Sequence, residues 1–272
     1  MNSSAAEPPS IHVRVRLFAV QRELAGTREV PLDLGPTATV EDAWTALVER
    51  VPALASGRSS VRFAVNGDYA DAETALKDRD ELACIPPVSG GALGPSGDAH
   101  RRRILEIREA PFGADVLVEL AERLATPEDG AIVAFLGRTR ITPGTPAPGQ
   151  EDTARRHAGR AVESLEYEAH ESMALRMLDR IAAEIEERYA VERVAIVHRV
   201  GAVPLGEVSI AVVAVSPHRD AAFLAAKYAI DETKARVPIW KAERFHDGHV
   251  WIGEPARTEP PPVPHRTPER PR

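Results

Sequence analysis

The sequence predicts an α+β protein of two domains, and three observations predict it. Short strand-like runs are interleaved with amphipathic helical stretches along the whole chain. The first 80 or so residues after a short lead read β-β-α-β-β, a small sheet covered by one helix, which is a β-grasp-like layout. Residues 92–103 then lose all periodicity and contain Gly94, Pro95, Ser96 and Gly97, which marks a domain boundary. The expected organisation is a disordered lead (1–10), a β-grasp domain (11–91), a linker (92–103), a larger α+β domain (104–253) and a disordered proline-rich tail (254–272).

In the first domain, Ile11, Val13, Val15 and Leu17 alternate with His12, Arg14 and Arg16, as in a half-buried strand. Thr27–Leu34 is a weaker second strand. Thr39 caps the helix VEDAWTALVERVP, with Asp42 three residues on completing a capping box and Pro52 ending it. Val40, Ala43, Trp44, Leu47 and Val48 form its inner stripe. Asn66-Gly67 sits in a hairpin position within VRFAVNGDYA, and DELACIPPV is the last strand.

The second domain opens with a strand (Ile104–Arg108) and an amphipathic helix (Ala114–Ala125). GAIVAFLG (Gly130–Gly137) reads as a buried strand, and the polar, Pro- and Gly-rich segment after it as a mobile loop, about Ile141 to Gly159. A strand near Val162–Glu168 precedes a helix, Glu171–Tyr189, with Met173, Met177, Leu178, Ile181 and Ile185 inward. RVAIVHRV and VSIAVVAVS are buried strands, Asp220–Arg236 is a helix ending before Pro238, and IWKAERFHDGHVWI is a hairpin turning at Asp247-Gly248.

Composition narrows the function. A net charge of -7 argues against a general nucleic-acid coat. No apolar run reaches the roughly 20 residues that span a bilayer, and the start MNSSAAEPPS has no basic or apolar signal region. The single cysteine, Cys84, excludes an internal disulfide framework and fits a reducing cytosol, so a cytoplasmic location is expected. The nine histidines and one cysteine have no ligand-like spacing, and no metal site is expected.

Two groups of residues invite chemistry. Gly90-Gly91, after Pro86-Pro87-Val88-Ser89, is either the start of a linker or a slim tail able to thread a narrow channel. In the second domain the cations gather at Arg138-Thr139-Arg140, His218-Arg219, Lys234 and Lys241. Taken singly, Arg138 and Arg140 read as exposed residues after a strand, His218-Arg219 as a helix cap, Lys234 as a partner of the helix dipole and Lys241 as a solvated strand residue. Together they describe a phosphate-binding crevice, and Pro238 between the lysines turns the chain so that both can reach one pocket. In such a pocket a lysine's pKa falls, which frees a neutral amine as base or nucleophile. Cys84 reads as a buried strand residue instead of a reactive thiol.

Residues 11–91, ending Pro86-Pro-Val-Ser-Gly-Gly91, resemble the small subunit of molybdopterin synthase, a ubiquitin-like sulfur carrier. The resemblance implies that the Gly91 carboxylate is adenylated in an ATP-dependent step and converted to a thiocarboxylate. It therefore implies an E1-like adenylating enzyme and a sulfurtransferase as partners. Ile104 to Gly253 resembles the large subunit of the same enzyme, through Phe135-Leu-Gly-Arg-Thr-Arg140, His198-Arg-Val-Gly201, Ser216-Pro-His-Arg219 and Lys234-Ala-Arg-Val-Pro-Ile-Trp-Lys241 followed by Glu243.

That second resemblance implies an α/β hammerhead fold, a homodimer through this domain, and insertion of two sulfurs into cyclic pyranopterin monophosphate (precursor Z) to form the molybdopterin dithiolene, with no bound cofactor. It makes Lys234 and Lys241 the catalytic pair. Arg140, His218 and Arg219 would hold the pterin and its cyclic phosphate, Arg138 and Thr139 would lie nearby, and Lys241, Ala242 and Glu243 would line the pocket. His198 and Arg199 are expected to be structural. The chain departs from the family's pattern in its long loop at 141–159 and in joining both subunits. Because a thiocarboxylate needs a free carboxylate, cleavage between Gly91 and Ala92 is expected. Two other readings remain: a non-catalytic carrier fused to a degenerate partner, against which the intact lysine pair argues, and a phosphate-binding enzyme with an accessory β-grasp domain.

Overall fold

Alternation along Ile11–Leu17 turns Ile11, Val13, Val15 and Leu17 inward, and these residues form strand β1. The computed structural model describes residues 10–58, 61–86, 103–147 and 149–252, so Gly90 and Gly91, linker residues 92–102 and both terminal segments lie outside the described residues. β1 pairs antiparallel with β2 (Glu29–Leu34) and parallel with β5 (Glu81–Ile85). With β3 (Arg62–Val65) and β4 (Asp68–Ala70) they make a five-stranded sheet in the order β2-β1-β5-β3-β4.

A seven-residue helix, α1 (Ala19–Ala25), was not expected; it is too short to display a helical period and Phe18 gives it no side-chain cap. The expected helix is α2 (Val40–Arg50), and its capping box is present. The Thr39 hydroxyl accepts from the Asp42 N–H, and the Asp42 carboxylate accepts from the Thr39 N–H at 2.8 Å. Its Val40, Ala43, Trp44 and Leu47 pack on Val13, Val15, Leu32, Phe63 and Leu82. Asn66 and Gly67 take positive φ values of 52° and 84°, as a tight two-residue hairpin requires.

The second domain has two four-stranded sheets. The first comprises β6 (Arg103–Arg108), β7 (Ala131–Arg138), β9 (Arg193–Arg199) and β11 (Val208–Ser216), in the order β6-β9-β11-β7. Helices α5 (Glu171–Tyr189) and α6 (Arg219–Arg236) cover one face and α3 (Val116–Leu124) the other. Burial on both faces is why β9 and β11 are continuous apolar runs. Arg103 opens β6 and does not belong to the linker; its buried guanidinium pairs with Asp179 at 2.8 Å and Glu186 at 2.7 Å.

The other sheet is β10-β8-β12-β13, from β8 (Ser164–Ala169), β10 (Gly201–Pro204), β12 (Ile239–Phe245) and β13 (Gly248–Ile252). β10 was not foreseen; it is a four-residue edge strand carrying a proline. Phe245 pairs with Gly248, so the hairpin turns at His246-Asp247, one residue earlier than expected. The expected mobile loop is partly ordered. It holds α4 (Glu151–Arg156), Pro146 bridges Ile252, and the Ala147 N–H donates to the Trp251 carbonyl at 2.8 Å. No helix among the described residues is long and apolar enough to cross a membrane.

The domains meet through Phe18, whose ring stacks between His170 at 5.2 Å and Trp240 at 5.0 Å. Ala19, Ala64, Ala83 and Ile85 of the first domain join Met173, Ala242 and Trp251 of the second around it. Helix α1 supplies the polar rim: Arg22 pairs with Glu168 at 2.9 Å and Glu23 with His249 at 2.9 Å. Arg176 donates to the Gly67 carbonyl on the hairpin. Ile85 ends β5 inside this contact, so the chain leaves the first domain at the surface of the second.

Candidate active site

Strand alternation on β12 sorts its side chains into two sets. Trp240 and Ala242 face the first domain, while Lys241 and Glu243 face the opposite way. There the segment 141–147 crosses them. The Gly144 N–H donates to Glu243 Oε1 at 2.7 Å, and a methyl group placed on Gly144 would lie 4.0 Å from Lys241 Nζ. Lys234, in the last turn of α6, reaches the same region with its Nζ 5.8 Å from the centre of the Phe135 ring.

The electrostatics bind these groups into one site. Burial pushes the Lys241 ammonium below its usual range; Glu243 opposes this, and Lys234 and Arg140 add to it. Burial pushes the Glu243 carboxyl up, partly offset by the Gly144 N–H, Lys241 and Arg140. His198 is buried and its pKa is lowered to about 4, chiefly by burial, with both lysines contributing. Its Nδ1 lies 2.8 Å from the Arg199 carbonyl, which can only accept, so Nδ1 carries the proton and Nε2 is left as an acceptor. The Tyr167 ring meets the His198 ring edge-on at 5.0 Å.

Lys241 and Arg140 flank the buried Glu243 carboxylate and Lys234 acts on Lys241, a net positive cluster suited to an anion, in which a lysine that loses its proton more readily can serve as a base. The lysines converge because α6 stops at Arg236 and Pro238 turns the chain into β12.

Other expected residues lie elsewhere in the chain. His218 and Arg219 start α6, 15 or more residues before Lys234, which at 1.5 Å per residue is over roughly 20 Å away. Both are exposed. Arg138 points to the sheet face opposite Phe135 and donates to the Gly206 carbonyl at 2.6 Å. Thr139 is buried, its backbone tied to Glu207 and Gly206 at 2.9 Å each. Ala242 is a contact of the first domain instead of a pocket wall, because it sits one residue out of phase with Lys241. The tail residues Gly90 and Gly91 lie outside the described residues.

Both halves of the chain match known protein families. The ThiS family matches residues 15–91 and the MoaE protein family residues 107–236. The molybdopterin synthase catalytic subunit of Bacillus subtilis is 39% identical over 153 residues, covering 56% of this chain and 87% of the relative. The chain belongs to the molybdopterin synthase family. It carries the small and large subunits of that enzyme fused in one polypeptide. The Homo sapiens catalytic subunit is 37% identical over 181 residues, covering 64% of this chain and 87% of the relative. A solved molybdopterin synthase from Staphylococcus aureus is 33% identical, covering 55% of this chain and 96% of that one, with a TM-score of 0.46.

Within this synthase the run Lys234–Lys241 divides into three jobs. Lys234 and Lys241 come together beside His198. Trp240 holds Phe18 of the carrier domain. Arg236 is fully buried and braces α6 on α5, bonding both oxygens of Glu184 at 2.5 and 2.7 Å and Glu232 at 3.1 Å. Sequence reasoning missed Gly144, Tyr167 and the placement of His198 beside the lysines. None belongs to a spacing pattern that joins it to them, and Gly144 lay in a segment read as mobile.

Proposed function

We infer that the carrier domain, once sulfurated at Gly91, delivers sulfur to cyclic pyranopterin monophosphate in the pocket of Lys234, Lys241 and Arg140. The observation that carries this reading is the convergence of two lysines, one with a depressed pKa, on the far side of the strand that receives the carrier. β5 ends against Trp240 and Trp251, and the five residues 87–91 can extend at most roughly 17 Å. A tail that slim is suited to rounding β12 and bringing its carboxyl end to Lys241. In each transfer the thiocarboxylate sulfur bonds to a substrate carbon as an oxygen leaves that carbon, once as phosphate oxygen when the cyclic phosphate opens and once as water. Hydrolysis of the acyl–sulfur bond then leaves the sulfur on the substrate and returns Gly91 as a carboxylate. Lys241 takes and returns protons, and the cations hold the phosphate.

His218 and Arg219 join such a site only from a second copy, since one chain holds them at the other end of α6. The edge strand β7, with Ile132 half exposed, and Phe223 on α6 offer apolar surface at that end for a homodimer. Loading requires an adenylating enzyme and a sulfurtransferase, and a free Gly91 carboxylate requires scission before Ala92.

The test is conversion of precursor Z by protein expressed with its loading partners. Lys234→Ala and Lys241→Ala should abolish dithiolene formation, and intact mass should reveal a fragment ending at Gly91 with sulfur in place of one oxygen. Undiminished conversion by Lys241→Ala would sink the reading. Full activity from an uncut chain would overturn the scission step alone.

A further inference from the structure

We propose that Gly144 is a positioning residue of the pocket, its backbone N–H fixing the Glu243 carboxylate against Lys241. The role of Lys241 itself rests on the function inferred above; the placement of Gly144 does not.

Glu243 is 4% exposed, yet it lies among groups that favour its charged form. Its backbone donor is the Gly144 N–H at 2.7 Å, and its charged neighbours are Lys241 on the same strand and Arg140 beyond β7. A buried carboxylate without such donors takes up a proton. Once neutral, it would no longer support the Lys241 ammonium, which burial, Lys234 and Arg140 already disfavour. The Gly144 donor therefore acts on Lys241 through Glu243. The other groups facing this pair are His198 from β9, kept neutral by burial, and Tyr167 from β8, whose phenol is pushed up by burial.

The approach leaves little room. A methyl group on Gly144 would sit 3.1 Å from Ile252 Cγ2 and 3.3 Å from Glu243 Oε1, both tight contacts. The segment is also anchored on each side. Val162 N–H donates to the Ile141 carbonyl at 3.3 Å, and beyond Gly144 come the Pro146–Ile252 bridge and the Ala147–Trp251 hydrogen bond at 2.8 Å. Pro143 and Pro146 stiffen the stretch between. A loop read from the sequence as free is thus part of the pocket wall.

The experiment reads Lys241 without turnover. The full chain is labelled with acetic anhydride across a pH series, and acetylation at Lys241 is quantified by mass spectrometry. Glu243→Gln and Gly144→Pro, which deletes the donor, should each lower the Lys241 midpoint by roughly one pH unit. In the unmodified chain with 15N-glycine, the Gly144 amide resonance should titrate with the Lys241 midpoint, a reading independent of whether any variant folds. A Lys241 midpoint that stays put in a folded Gly144→Pro chain while Glu243→Gln moves it overturns the proposal. So does a Gly144 resonance indifferent to that midpoint. If both measurements behave as expected while Lys241→Ala still converts precursor Z, the functional reading fails and the positioning role stands.

Discussion

Removing the Phe18 ring should separate the two domains without unfolding either. Phe18 is 3% exposed and stacks on His170 and Trp240, both of the second domain. Truncating a buried phenylalanine costs about 3–5 kcal/mol. At an interface, where water can enter the gap, the lower end applies, so Phe18→Ala should cost docking about 3 kcal/mol. That is roughly a hundredfold in the docked-to-undocked ratio. Phe18→Leu, which keeps most of the volume, should cost under about 1.5 kcal/mol. The assay is hydrogen exchange on the full chain, following the Ala19 amide, which donates to Glu168 at 3.3 Å, alongside emission from Trp240 and Trp251. Exchange at Ala19 should accelerate by about two orders of magnitude while amides of the α2 core keep their protection. If the variant melts the α2 core and leaves the Ala19 amide and the tryptophans unchanged, Phe18 serves its own domain and the docking argument is refuted.

Three further outcomes follow from buried groups. Arg236→Ala should destabilise the second domain by about 3–5 kcal/mol in urea unfolding, because it removes the buried guanidinium that pairs with both Glu184 and Glu232; a cost below about 1 kcal/mol would contradict the brace. His198 has a folded-state pKa near 4 against 6.5 for a free imidazole, so its stabilising share is complete above about pH 6.5 and lost as pH falls toward 4. Stability should drop there by roughly 1.4 kcal/mol per pH unit for this group, and His198→Gln should remove that slope, leaving the smaller one from His170, whose pKa burial also lowers. Cys84 is fully buried and burial pushes its thiol up. Cys84→Ser should cost about 1–3 kcal/mol in melting yet keep precursor conversion well below the transition, and a folded but inactive variant would show the thiol in use.

The elements that could be read in advance are those whose cause is local. The alternation of β1, the Thr39–Asp42 box, the Asn66-Gly67 turn and the stripe of α5 are each written within a few residues, and each is present. Short elements escaped, since seven residues of α1 or four of β10 contain too little period to distinguish them from loop. The same limit governed the site. The spacing Lys234–Pro238–Lys241 spans one helix end and one strand, and the structure brings the two lysines together. The expected grouping with His218 and Arg219 spans a whole helix, which a straight α6 cannot fold back.

The amino-acid sequence by itself determined the two-domain α+β plan and the family, and it singled out Lys234 and Lys241, because period, capping and motif spacing are properties of neighbouring residues. Tertiary structure alone decided which face of β12 each residue serves, so that Lys241 and Glu243 look into the pocket while Trp240 and Ala242 receive the carrier. It also decided that Gly144 meets Glu243 across 99 positions of chain. Such pairings come from the packing of whole sheets and helices, where the energy of a contact depends on long-range placement that no local pattern records.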